Sequence, residues 1–63
     1  MNETACREIL KDFITLDDTL DSYMKEDTVP YVCWFKGLDT VTLDGEFTAA
    51  QLAAIAWWME NKS

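Results

Sequence analysis

Residues 48–59 leave this chain little choice of architecture. Thr48 and Gln51 have the spacing of a capping box, in which the threonine oxygen accepts the third amide of a helix and the glutamine side chain returns to the cap's own amide. Phe47 and Leu52 have the spacing of the hydrophobic staple that flanks such a cap, and Asp44-Gly45 supplies a turn just before it. Two independent features therefore start a helix at Thr48. From there to Met59 the run TAAQLAAIAWWM carries no charge: Leu52, Ile55, Ala56 and Met59 form one face, Ala53, Ala54 and Trp57 another, and Trp58 lies close to the first. A helix that is apolar all round has to be covered.

The cover is short. The 63 residues make one small domain, 1–63, and a chain of this length buries only about 60% of the surface its unfolded form exposes. Tyr31-Val32-Cys33-Trp34-Phe35 are all at home in strands, and the run ends at Lys36-Gly37. Thr40-Val41-Thr42-Leu43 alternates, with Val41 and Leu43 on one face and the threonines on the other, as in a half-buried strand. Together they predict an antiparallel hairpin with a loop of about four residues. The competing reading caps a short helix at Thr28 and runs it from Val29 to Phe35, which makes the chain all-α with three helices.

Between Thr4 and Lys25 apolar residues fall at Cys6, Ile9, Phe13, Leu16, Leu20 and Tyr23, alternating steps of three and four, which predicts one amphipathic helix. Asn2 or Thr4 can cap it; Glu3 and Glu8 suit its positive end and Lys25 its negative end. Thr15 offers a second cap at which the helix can kink or restart, but the stripe passes through without changing phase, which favours a single helix. Pro30 disfavours its continuation, lacking the amide proton and disfavouring a helical residue before it. The expected fold class is thus α+β: an N-terminal amphipathic helix, a β-hairpin and a C-terminal apolar helix.

Chemistry has little to work with. The chain has no histidine, so Ser-His and Cys-His pairs are excluded, and Ser22 and Ser63 fall on a polar helix face and at the last residue. Cys6 and Cys33 lack metal-ligand spacing and read as reduced, largely buried thiols, a bridge between them staying open as the alternative. Asp44-Gly45 fails as a calcium loop, because Val41, Thr42 and Leu43 stand where acids belong and Gln51 where the closing glutamate should be. Gly37 and Gly45 are the only glycines, too few for a phosphate-binding loop. No catalytic residue, metal or cofactor is expected.

Twelve acids against five bases give a net charge of −7, which repels nucleic acid and anionic membrane and favours a basic partner. Asp12, Asp17, Asp18 and Asp21 form an acidic ridge on the outward side of the first predicted helix, a partial imitation of a run of DNA phosphates. No run approaches the roughly 18 apolar residues that span a bilayer, and the polar start Met1-Asn2-Glu3-Thr4 is no targeting segment, so a cytoplasmic setting is expected. Yet 49% of the residues are hydrophobic, more than so small an interior can hide. Ile14, pointing off the stripe, and Trp34, Ala53, Trp57 and Trp58 are the candidate interface residues, since tryptophan is enriched at interfaces and alanine permits close approach.

The stretch DTVTLDGEFTAAQLAAIAWWM, residues 39–59, resembles a strand, turn and helix element of very small accessory proteins of temperate, lambdoid-type bacteriophages. The resemblance spans about a third of the chain and brings no catalytic residues. It implies a short protein made in an infected bacterium that binds and redirects host or phage proteins. The functional expectation is a non-enzymatic protein-interaction module that forms a homo-oligomer, binds another protein, or does both. The alternative is an acidic DNA mimic that inhibits a nucleic-acid-binding enzyme.

Overall fold

The computed structural model describes residues 1–22 and 30–62. In chain order its elements are α1 (Glu3–Ile9), β1 (Leu20–Asp21), β2 (Tyr31–Trp34), β3 (Thr42–Asp44) and α2 (Ala49–Lys62). The fold is α+β, with a helix at each end and an antiparallel three-stranded sheet of order β1-β2-β3. The three-helix alternative is overturned where Tyr31–Trp34 pairs on both sides; its cap at Thr28 lies outside the described residues.

The largest correction concerns the first helix, which ends at Ile9 after two turns. Asn2 caps it, accepting the Ala5 amide at 2.8 Å, and Glu3 and Arg7 suit the dipole at its two ends. Leu10 closes it with an amide on the Cys6 carbonyl, and Phe13 and Ile14 both donate back to the Leu10 carbonyl. The segment from Ile14 to Thr19 cannot sustain a helix. Ile14 and Thr15 are β-branched, and the short polar chains of Asp17, Asp18 and Thr19 compete for the backbone. Thr15 does so directly: its hydroxyl oxygen accepts the amides of Asp17 and Thr19, each at 3.3 Å, and its own amide donates to the Thr19 carbonyl at 2.9 Å. The restart admitted at Thr15 is therefore a reversal. Residues 13–15 return alongside β1, with the Asp21 amide on the Phe13 carbonyl and Ile14 bridged to Leu20.

With the helix gone, the stripe read from it is reassigned. Leu10, which is not one of the stripe residues, is fully buried, and Leu16, which is, is fully exposed. Ser22, expected on a polar helix face, is buried and extends the sheet with its side chain, accepting the Val32 amide at 2.9 Å and donating to the Val32 carbonyl at 3.3 Å. The expected roles of Tyr23 and Lys25 fall outside the described residues.

The hairpin forms, with Val32 opposite Leu43 and Cys33 opposite Thr42, but its connection is residues 35–41, longer than expected. Gly37, at φ +92°, lets the chain turn so that the Leu38 amide reaches the Phe35 carbonyl. Trp34 locks that turn with its indole N–H on the Leu38 carbonyl at 3.0 Å. β3 is exposed along its length rather than half-buried, while Val41, just before it, packs against the core.

α2 begins as the sequence predicts: the Gln51 amide donates to the Thr48 hydroxyl at 3.0 Å, and the Thr48 amide to the Gln51 side chain at 2.8 Å. Phe47 lies against the ring of Phe13, centroids 6.4 Å apart, while Leu52 stays largely exposed. Ala54, Ile55 and Trp58 are buried, joining Cys6, Leu10, Phe13, Leu20, Val32 and Trp34 in one core between the helices and the inner sheet face. The small Ala54 lets α1 come close enough for the Cys6 thiol to reach its carbonyl, Sγ to O 3.8 Å. Removing the cap with Thr48→Ala leaves α2 amides unsatisfied; urea unfolding should read a loss of about 1 kcal/mol with an unchanged denaturant slope.

Candidate functional site

The structure separates the predicted interface residues. Trp34 and Trp58 are fully buried, which withdraws both from any surface of the folded chain. Trp57 is half-buried with its ring 6.1 Å from that of Trp58, and Ala53 is exposed on the outer side of α2. Ile14, expected to point away from the core, is half-buried and packs against it.

The acidic residues separate as well, since none of the four lies on a helix. Asp18 is structural. It sits in the left-handed region at φ +62°, a conformation that aspartate tolerates better than most residues. Its carbonyl accepts the Trp58 indole N–H at 2.7 Å, and its carboxylate pairs with Arg7 at 3.1 Å and Lys62 at 3.6 Å. The same two cations lie over the Trp58 ring, 5.1 and 5.3 Å from its centroid, and both reach Glu3. Burial pushes the Asp18 carboxyl up, but the hydrogen bond from Arg7 and the charges of Arg7, Lys62 and Lys36 outweigh it and hold the group below its usual range. Lys62 first and Arg7 second hold Glu3 low in the same way, by hydrogen bonding.

Asp12, Asp17 and Asp21 instead converge on a groove between the 13–19 reversal and the end of β2. Its apolar lining is Phe13, Ile14, Leu16 and Phe35, and its remaining walls are Lys11, Thr15 and Thr19 with the three aspartates. Leu16, at the tip of the reversal, shows 103% of its reference area to solvent, and Phe35, past the end of β2, shows 51%. The Thr15 and Thr19 hydroxyls bond each other at 2.6 Å, and Lys11 is within 3.7 Å of Glu8.

Leu16 and Phe35 escaped the sequence reading for opposite reasons. Leu16 fell on the phase of a helix that ends before it, and Phe35 was taken as one more residue of the β2 run. A usable signal was present at Leu16, a lone leucine inside Thr-Leu-Asp-Asp-Thr, whose flanking residues all favour turns.

The arrangement offers little for covalent chemistry. Both cysteines are free; Cys6 is buried, and burial pushes its thiol up, away from the thiolate that a nucleophile needs. Among the described residues no group of three cysteine or acidic side chains is placed to hold a metal ion, and no helix is long and apolar enough to cross a membrane. No protein-family model, curated protein or solved structure matches the chain.

The Asp18 cluster makes a pH prediction. A carboxyl held below its unfolded value stabilises the fold above that value, and the contribution is lost as pH falls through the lower, folded value. Asp18→Asn keeps the left-handed backbone and removes the charge. It should lower stability at neutral pH by up to about 1 kcal/mol and flatten the decline in urea midpoint below about pH 4; an acid limb as steep as wild type would show that other carboxyls carry it.

Proposed function

We propose that this protein is a non-enzymatic protein-interaction module that engages another protein through the groove lined by Leu16 and Phe35. The observation that carries this reading is the exposure of two large apolar side chains on one groove, Leu16 wholly and Phe35 by about half. Covering a leucine of this kind gains about 1.5–3 kcal/mol, available only when a partner supplies the cover. Exposed apolar patches of this sort mark interaction sites.

Self-association belongs to a different surface. On the outer side of α2, Leu52 is 46% exposed beside the exposed Ala53 and Ala56, with Trp57 half-buried. Residues 48–59 carry no charge, so two copies can approach there without repulsion. The DNA-mimic reading has less support, because Asp18 is paired with two bases and the remaining three aspartates ring an apolar groove instead of forming a row. An accessory role in a phage-infected bacterial cytoplasm, redirecting a host or phage protein, accords with an interaction module and rests on the resemblance of residues 39–59.

Leu16→Ser/Phe35→Ser should leave the stability read by urea unfolding within about 1 kcal/mol of wild type, any loss coming from the half-covered Phe35, and abolish retention of a bacterial protein on immobilised chain. Retention equal to wild type removes the groove from the reading. Sedimentation equilibrium tests the second surface: Ala53→Arg should shift a micromolar sample to monomer without changing that retention.

A further inference from the structure

A single residue fastens the 15–19 reversal to the helices. The reversal is closed at its base by the Ile14–Leu20 bridge and by the Thr15 amide on the Thr19 carbonyl, and Leu16 at its tip is fully exposed. Among the described residues, every hydrogen bond and ion pair from 15–19 to α1 and α2 is made by Asp18: its carbonyl accepts the Trp58 indole N–H at 2.7 Å, and its carboxylate meets Arg7 at 3.1 Å and Lys62 at 3.6 Å. We infer that Asp18 is an ion-pair latch that holds the reversal against the two helices, and that protonating its carboxylate opens the reversal while the core stays folded.

The charges around Asp18 decide which part yields. Arg7 and Lys62 lie over the same Trp58 ring, 5.1 and 5.3 Å from its centroid, and Lys36 adds its charge from the connection after β2. Among the described residues the one other carboxylate paired with those two cations is Glu3, bonded to Arg7 at 2.8 Å and to Lys62 at 3.0 Å. Once both carboxyls are protonated, the cations are left together without counter-charge and repel. Glu3 and Arg7 are held by α1 and Lys62 by α2, whereas Asp18 sits in a turn at φ +62°, a left-handed conformation that opening relieves. The reversal is therefore the part that moves. Burial raises the Asp18 carboxyl, but Arg7, Lys62 and Lys36 together lower it further, and Lys62 and Arg7 lower Glu3. The latch is thus fully closed above the ordinary carboxylate value and releases as pH falls through the lower, folded one. Thr15, Leu16, Asp17 and Thr19 line the groove, so opening dismantles it; that consequence for binding rests on the groove being the interaction surface.

Hydrogen exchange at the indoles of ¹⁵N-labelled chain tests the latch, with Trp34 as internal reference because its N–H bonds the Leu38 carbonyl instead of Asp18. After correction for the intrinsic pH dependence of exchange, protection of the Trp58 indole should fall at least tenfold relative to Trp34 below about pH 4, while the Val32 amide on the Ser22 hydroxyl stays protected. Asp18→Asn keeps the backbone conformation and removes the titrating group, so this relative loss should disappear. Lys62→Met leaves Arg7 in place and should lower Trp58 protection several-fold at neutral pH without changing Trp34. Loss of protection at both indoles at one pH, a response in Asp18→Asn as large as wild type, or Trp58 protection unchanged by Lys62→Met overturns the latch. None of these readouts uses a partner: their failure leaves the groove reading standing, and retention unaffected by Leu16→Ser/Phe35→Ser leaves the latch standing.

Discussion

The hydrogen bond from the Trp58 indole to the Asp18 carbonyl is the contact on which the rest of the molecule depends. It joins residues forty positions apart and fixes the 15–19 reversal against the last turns of α2. Around it, Arg7 from α1 and Lys62 from α2 share both the ring face and the Asp18 carboxylate, so three segments distant in sequence are tied at one side chain. The individual ion pairs are partly exposed and worth little alone. Buried aromatic area and a satisfied N–H are worth more, and the cations add to a ring that is already fixed. Trp34 repeats the device on a smaller scale, its N–H holding the turn after β2. Each buried tryptophan thus spends its one polar atom on a loop carbonyl.

This explains how much of the fold could be read from the sequence. The capping box at Thr48 and Gln51 is a local device whose partners lie three residues apart, and the structure forms it as predicted. Strand character at 31–34 is also local, carried by β-branched and aromatic residues. The first helix failed because a three-four stripe is not proof of a helix when its residues are divided between a short helix, a turn and a strand. Cys6 and Phe13 reach the core from α1 and the turn, Leu20 from β1, and only their numbering gives them a common period. The low helix propensity of Ile14, Thr15 and the aspartates was the competing local signal, and tertiary contacts decided in its favour: Asp18 can hold the Trp58 indole only if the chain leaves the helix.

The groove shares that fate, because most of its lining comes from the reversal that the helical reading hid. On a continuous helix Asp12, Asp17 and Asp21 make a solvated ridge. In the folded chain they line one groove with Phe13, Ile14 and Leu16 and with Phe35, just past the end of β2. Acidity and apolar surplus, which looked like separate properties of the composition, occupy one place in the structure.

That coincidence bears on what the acidic residues do. Along α2 the exposed apolar surface carries no charge from Thr48 to Met59, whereas three carboxylates stand round the most exposed leucine of all. The two surfaces therefore differ in composition, and the difference originates in a helix that stops at Ile9 and a reversal at Thr15, which together place Asp12, Asp17 and Asp21 in one groove with a leucine.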